Sequence, residues 1–380
     1  MTKPFIDFYN KENILPVRQN IDDPRFFETR SFLYSRLGAP LRLLKGMEII
    51  EFGPGGGFNA VATSKYNPSL YYFVEGSSVG VEKLKYFIDN KKICADNIKI
   101  SSVDFLNFNI DKKFDLVIAE ACIPGQREPD EYLSHISSFV KKDGLMIITT
   151  TSKSSMLSEI LRALYGFLIK DSFKDSNKYK QFLEIRFATH LSQLGTNTRS
   201  IEDWVLDNII NSYHKDRSNF SLLDAVRELN NFEFQSSVPT FLFDLSWYKN
   251  YTFDHSKNME NLNYQWPLFE SYLLDWRIKK ENLLLLSVEV CQETSRLIEI
   301  VFDEVFTVLN KGSSEDKAVN VLIALDKLRN TLLPAFNETK NSITDFMAFL
   351  ESNSRLDYKF KDFESWWGRG QQYISFRRIN

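Results

Sequence analysis

The run Glu51-Phe52-Gly53-Pro54-Gly55-Gly56-Gly57 follows the apolar stretch Met47-Glu48-Ile49-Ile50 and leads into Phe58-Asn59-Ala60-Val61-Ala62. An acid closing a strand, a glycine turn and a helix start together form a corner that can take a nucleotide-like ligand. Glycine allows the positive-φ turn and lets the backbone approach a ligand closely. Gly53, Gly55 and Gly57 give the spacing G-x-G-x-G. A dinucleotide turn needs glycine where Phe58 stands, and a phosphate loop needs a lysine followed by Ser or Thr, which this turn lacks.

Further acids follow at regular intervals. Leu70–Val74 reads as a second strand ending at Glu75, about twenty residues past the turn, where a carboxylate can accept both ribose hydroxyls. Ile98–Val103 reads as a third strand ending at Asp104-Phe105. Phe114–Ala119 reads as a fourth, with Glu120 at its carboxyl end. A helix near Asp130–Val140, a turn at Lys142-Asp143-Gly144 and a fifth strand over Leu145–Thr150 complete the series. Short apolar runs alternating with helical stretches predict a parallel sheet covered on both faces, with ligands at the carboxyl ends of its strands.

Other elements must frame this sheet. Residues 1–46 read as an N-terminal helical cap, with a helix starting at Pro24 and closing at Gly38. On it, Arg30 and Tyr34 share one face four residues apart. A helical insertion at about 153–231 (Met156–Ile169, Tyr179–Leu194, Ile201–Tyr213) interrupts the 47–255 domain. Phe232–Pro239 then reads as a late strand, and Phe241–Tyr248 as a further apolar run. Residues 256–380 read as a C-terminal helical region: Glu281–Leu309, a break at Asn310-Lys311-Gly312 with a restart at Ser313, Ala318–Leu333, and Asn341–Leu350. Its apolar stripe either packs on the rest of the chain or forms a homodimer. The tail Trp366–Tyr373 mixes aromatics with Arg and Gln, a set suited either to sugar binding or to docking tryptophans in a groove.

Composition sets outer bounds. The chain has 380 residues, 43% apolar and 26% charged, with a net charge of −3, so no bulk electrostatics favour nucleic acid. Cys94, Cys122 and Cys291 are too scattered for a disulfide framework or metal cluster, and no metal site is expected. No signal-peptide core or membrane span is legible, which points to the cytoplasm. Abundant Phe, Asn and Lys suggest an AT-rich bacterial genome.

The acid ahead of G-x-G-x-G, with Glu75, Asp104-Phe105 and Glu120 at successive strand ends, resembles class I S-adenosylmethionine (SAM) methyltransferases. The resemblance implies a Rossmann-like α/β sheet with a helical insertion and a C-terminal helical extension. It implies SAM as cofactor, held by Glu51, Gly53, Pro54, Gly55, Gly57 and Asn59 around the turn, and by Glu75, Gly76 and Ser77. Asp104 would meet the adenine amino group, Phe105 would pack on the ring, and Glu120 would lie near the methyl group. A narrower likeness over roughly residues 8–255 rests on Leu15–Ile21, Phe27–Gly38 and Glu202–Asn208. It is to bacterial methyltransferases associated with surface-polysaccharide biosynthesis, and it implies a sugar, sugar-nucleotide or glycan hydroxyl as acceptor.

A hydroxyl acceptor benefits from a base. Glu120 and His190 are the candidates, His190 having a suitable ordinary pKa but also reading as a packed histidine. Arg30, Tyr34, Trp204 and Asp207 are candidates for the substrate wall. The run Glu120–Gly125 lacks the Asn/Asp-Pro-Pro-Tyr signature that grips planar amino groups, which disfavours base and protein-glutamine methylation. The rival readings are a small-metabolite, lipid or protein acceptor, or a non-catalytic module of the same fold.

Overall fold

The computed structural model of the chain describes residues 4–15, 18–194, 200–211, 219–241, 247, 249, 255–279, 281, 287–311, 318–352 and 355–380. Seven strands form one sheet: β1 (Glu48–Phe52), β2 (Leu70–Val74), β3 (Ile98–Ser101), β4 (Phe114–Ala119), β5 (Val140–Thr151), β6 (Phe232–Val238) and β7 (Gln371–Arg378). Their order is β3-β2-β1-β4-β5-β7-β6. The first five are parallel, and β7 runs antiparallel to both β5 and β6. The central strands are apolar on both faces because helices cover both: Ile49, Ile118 and Ile147 enter one core, Ile50, Val117 and Ile148 the other. The order reverses between β1 and β4, which places a ligand crevice above their carboxyl ends.

The expected strands are all present, with two amendments. The turn anticipated at Lys142–Gly144 lies inside the longer β5, where Asp143 adopts a φ of 59°. The last strand, β7, comes from the tail that was read as helical. Its pattern of buried Gln372, Ile374 and Phe376 is that of a strand, but only eight residues long and separated from its hairpin partner β6 by residues 239–370. The helical region is therefore inserted between the sheet's last two strands, and the chain returns to the sheet after it. A boundary at 255/256 does not follow the fold.

Helices α1 (Pro4–Glu12) and α2 (Pro24–Arg36) precede the sheet; Asp23 caps α2, accepting from the Arg25 N–H, with Pro24 at its first position. After β1 come α3 (Phe58–Thr63), α4 (Ser78–Asp89) and α5 (Pro129–Ser137). The insertion forms α6 (Lys153–Ile169), α7 (Ser176–Ser192) and α8 (Ile201–Val205), which runs into a π-helical turn at Leu206–Ile210, followed by α9 (Leu222–Glu228). The later helices are α10 (His255–Leu273), α11 (Val288–Lys311), α12 (Ala318–Thr331) and α13 (Asn337–Glu351). Residues 212–213, most of the run Phe241–Tyr248 and the restart at Ser313 lie outside the described residues.

Helices α6–α8 and α11–α13 share one hydrophobic core with Trp366 and Trp367. The stripe of α11 (Val301, Val305, Val308) is buried within the chain, so the surface that was to seed a homodimer is spent internally. Both tail tryptophans are buried in this core, which answers the sugar-binding alternative for them. Among the described residues no helix is long and apolar enough to cross a membrane.

Candidate active site

A cavity of about 520 Å³ opens above the carboxyl ends of β1 and β4. One wall is the glycine turn. Gly55 has φ +55°, and an added Cβ there would project into open space, whereas Gly53 lies against Cys122 and Phe105. Gly57, with φ +75°, is turned away: a Cβ would meet Leu84 Cδ1 at 2.6 Å. Gly57 is thus a packing glycine, unlike the other predicted turn residues Glu51, Gly53, Pro54, Gly55 and Asn59, which line the cavity.

Glu75, Gly76 and Ser77 form the next wall. The Glu75 carboxylate is held in place by backbone donors: Gly55 N–H to Oε2 at 2.8 Å and Ser77 N–H to Oε1 at 2.7 Å. Burial raises its pKa, and these N–H groups oppose the rise. Each oxygen keeps a second lone pair for a ligand hydroxyl. Asp104 accepts from the Leu106 N–H at 3.0 Å, which sets the turn that turns Phe105 into the cavity.

Glu120 ends β4 beside Ala121, whose φ of 58° and N–H donation to Thr149 Oγ1 (2.7 Å) fix the reversal. Its carboxylate is fully engaged on the protein side. Arg30 donates to Oε1 at 2.6 Å, Tyr34 donates to the same oxygen at 2.7 Å, and Asn59 donates to Oε2 at 2.9 Å. Burial works against the Arg30 charge, but Glu120 outweighs it and raises the pKa of the guanidinium. Arg30 and Tyr34 are buried behind the wall and reach the cavity through Glu120, and Arg30 also through Tyr373. Glu51 sits below them, accepting from Tyr71; burial first, then the nearby Glu120 charge, pushes its pKa up to about 7. The Cys122 thiol lines the cavity, its pKa raised by burial, so it stays neutral.

The opposite wall comes from distant parts of the chain. Trp204 and Asp207 line it, with Thr151, Met156, Glu159, Asn208, Asn219, Gln371 and Tyr373. Above, Ile6, Tyr9, Ile14, Leu15 and Gln19 make a roof. Tyr9 donates to Asp207 at 2.8 Å, Arg18 pairs with Asp203 at 2.7 Å, and Asn10 Oδ1 accepts from Ser77 and Ser78. The roof therefore joins both walls. Tyr9, Glu159 and Asn219 carried no motif, while Gln371 and Tyr373 come from the tail read as a sugar-binding or docking segment; that all of them line one cavity is a product of the fold.

His190 does not reach the cavity. The inward face of α7 carries it, one turn past Phe187, into the helical core, where Arg162 donates to its Nδ1 at 3.2 Å and Phe360 and Phe363 flank the ring. Burial, then Arg162 and Arg186, lowers its pKa well below the ordinary value. It is a neutral packing histidine and not a base at this site.

The topology, the turn and the acids at the strand ends define the class I SAM-dependent methyltransferase fold. Residues 27–211 match a family model described as a methyltransferase domain. The chain is 23% identical over 184 residues to the methyltransferase-named protein 235L of Invertebrate iridescent virus 6 (47% of this chain, 64% of that protein). It is 26% identical over 141 residues to the mitochondrial ubiquinone biosynthesis O-methyltransferase of Dictyostelium discoideum (34% and 43%). The chain thus spans less than two thirds of the length of these curated relatives. Among solved structures, magnesium protoporphyrin IX methyltransferase from Synechocystis PCC 6803 with bound S-adenosylhomocysteine aligns at 12% identity, with a TM-score of 0.36, over 61% of this chain and 86% of that one.

Proposed function

We propose that the chain is an active SAM-dependent methyltransferase acting on a hydroxyl of a polar, uncharged acceptor, a sugar or glycan unit. The observation that carries the cofactor half is Glu75: its two oxygens, fixed by the Gly55 and Ser77 N–H groups, face the same cavity as Asp104 and Phe105. The cavity suits the cofactor in other ways. Gly55 leaves open space where a side chain would stand, and Asn59 Oδ1 is buried without a partner, an acceptor available to an ammonium group. When bound, SAM supplies a methyl group activated on a sulfonium. Glu75 would hold the ribose, Asp104 and Phe105 the adenine, and Glu51, Gly53 and Asn59 the amino-acid end.

The residues on the acceptor wall then position the second substrate. Glu120 is taken up by Arg30, Tyr34 and Asn59 on the protein side, and we assign it a positioning role. Glu159 and Asp207 are the carboxylates on the acceptor side, and Glu159 is our choice for the base. The described lining holds six carboxylates and no Lys, Arg or His. That balance favours an uncharged acceptor over a sugar nucleotide with its phosphates.

Calorimetric titration with SAM and S-adenosylhomocysteine, with NADH as control, tests the first half. Micromolar affinity, on the order of −8 kcal/mol, lost in Glu75→Ala but not in His190→Gln, is expected. No binding to folded protein overturns the reading. Methyl transfer from labelled SAM to neutral saccharides, abolished by Glu159→Gln with SAM affinity intact, tests the second.

A further inference from the structure

A second cavity of about 380 Å³ lies beside the first, enclosed by the start of α6, by α9, by α10 and by α11. Thr151 and Asn219 line both cavities. The partition between them is the point where β5 ends and the chain enters α9; the Thr151 N–H donates to the Phe220 carbonyl there at 2.9 Å. One ligand could therefore pass from one cavity to the other over these two residues.

The second lining differs from the first. It balances Lys153, Arg227 and Arg296 against Asp224, Glu270 and Glu299. Two of these pairs are loose: Lys153 lies 3.8 Å from Glu299, and Arg227 lies 3.8 Å from Asp224. Those distances exceed a good charge-assisted hydrogen bond; although Asp224 Oδ2 accepts from Ser221 and Arg296 is held by Glu293, Lys153, Arg227 and Glu299 keep capacity for a ligand. Gln292 adds an amide with both functions, and Trp266 adds an aromatic wall whose indole N–H is turned to Glu270. Donors and acceptors side by side in the described lining, beside an indole, match a group rich in hydroxyls. An anion would face three carboxylates, and an apolar tail would strand the charges.

We propose that this second cavity is a distal acceptor subsite that binds an uncharged saccharide unit, while the reacting unit lies in the first cavity beyond Thr151 and Asn219. The proposal rests on the methyltransferase reading only for what happens in the first cavity; binding in the second is its own observable.

Saturation-transfer NMR on the full chain tests it, with cellobiose, maltose and chitobiose as millimolar probes and inorganic phosphate as competitor. Saturation of one or more disaccharides is expected, weakened about fivefold in Gln292→Ala and in Arg227→Ala. Both residues are largely exposed, and neither touches the first cavity, so S-adenosylhomocysteine affinity should be unchanged in both. The idea is overturned if no disaccharide is saturated, if the signal ignores both variants, or if phosphate displaces the sugar. A failed S-adenosylhomocysteine titration with a variant-sensitive sugar signal would sink the cofactor assignment and leave the subsite standing.

Discussion

Arg30 and Arg162 are both buried guanidinium groups, one behind the cofactor wall of the cavity and one in the helical core next to α6's Met156 and Glu159 on the other wall, and they are satisfied by opposite means. At the cofactor end, Arg30 closes a compact set with Glu120, Tyr34 and Asn59, in which charge meets charge. At the acceptor end, Arg162 meets backbone carbonyls: Ser158, Phe363, Glu364 and Trp366, with its plane 3.8 Å over Trp367. Burial lowers the pKa of Arg162 to about 9 against the opposing charges of Glu159 and Glu364, so it stays charged at neutral pH although its hydrogen bonds go to backbone carbonyls and His190. The first arrangement fixes a side chain at a strand end. The second fixes the path by which the chain leaves the helical layer and returns as β7. The cofactor end is organised by local strand geometry, the acceptor end by long-range tethering.

The largest expected effect tests that contrast. Arg30→Met leaves Glu120 buried without its cation and should cost about 3–5 kcal/mol of stability. Glu120→Gln in the same chain should restore much of the loss, because the unpaired charge goes with it. Arg162→Met should also cost several kcal/mol by stranding buried carbonyls at about 1–3 kcal/mol each, but no carboxylate substitution can rescue it. Denaturant midpoints of the two singles and the Arg30/Glu120 double measure both; equal rescue at the two ends would erase the distinction.

The glycine turn gives a finer version within one motif. Gly55→Val places a β-branched side chain in the open cavity at positive φ, and SAM affinity should fall at least about a hundredfold, close to 3 kcal/mol. Gly57→Ala instead drives a Cβ onto Leu84, so it should lower the melting temperature while the surviving folded fraction binds SAM normally. Calorimetry and thermal scans on the pair separate a ligand-facing glycine from a packing one.

The same division explains what could be read from the chain. The acids of the cofactor end lie within residues 51–120, where strand periodicity places each one and motif spacing names the ligand class. Glu75 is a good example: its distance from Gly55 along the chain is set by one helix and one strand. The acceptor end draws on residues near 9, 155, 205, 219 and 372, and no local pattern announces that Tyr9 meets Asp207 or that Gln371 and Glu159 line one cavity. His190 was legible only as a residue type; whether α7 turned it to a cavity or a core depended on helices more than a hundred residues later. The strand β7 was hidden for a related reason, since its hairpin partner precedes it by the whole helical region.

Glu51 adds a pH test confined to the cofactor end. Its folded pKa of about 7 stands above the ordinary value of 4.5 because burial and Glu120 disfavour the charge. A raised folded pKa means that folding favours the protonated form. The stabilisation it gives is full below about pH 4.5 and is lost as pH rises through 7. Melting temperatures of the ligand-free protein should therefore fall between pH 5 and 8, and Glu51→Gln should flatten that slope. His190→Gln should steepen the fall below about pH 6.5, because buried His190, its pKa held well below the ordinary value of 6.5, opposes it there: the unfolded chain binds a proton that the folded chain does not. A wild-type curve parallel to that of Glu51→Gln would remove Glu51 from the account.

The smallest effect concerns the roof that joins the two ends. Tyr9 donates to Asp207 from α1, while Asn10, its neighbour, accepts from the Ser77 and Ser78 pair at the cofactor wall. Removing one such hydroxyl costs about 1 kcal/mol, so Tyr9→Phe should barely change global stability. It should loosen the acceptor end selectively: SAM affinity nearly constant, and KM for the acceptor up about fivefold. Asn10→Ala should do the reverse, weakening SAM by a similar factor with less effect on the acceptor. If each variant weakens both ligands equally, the roof closes as one rigid piece, and cofactor and acceptor sites are coupled through α1 rather than held separately by the two walls.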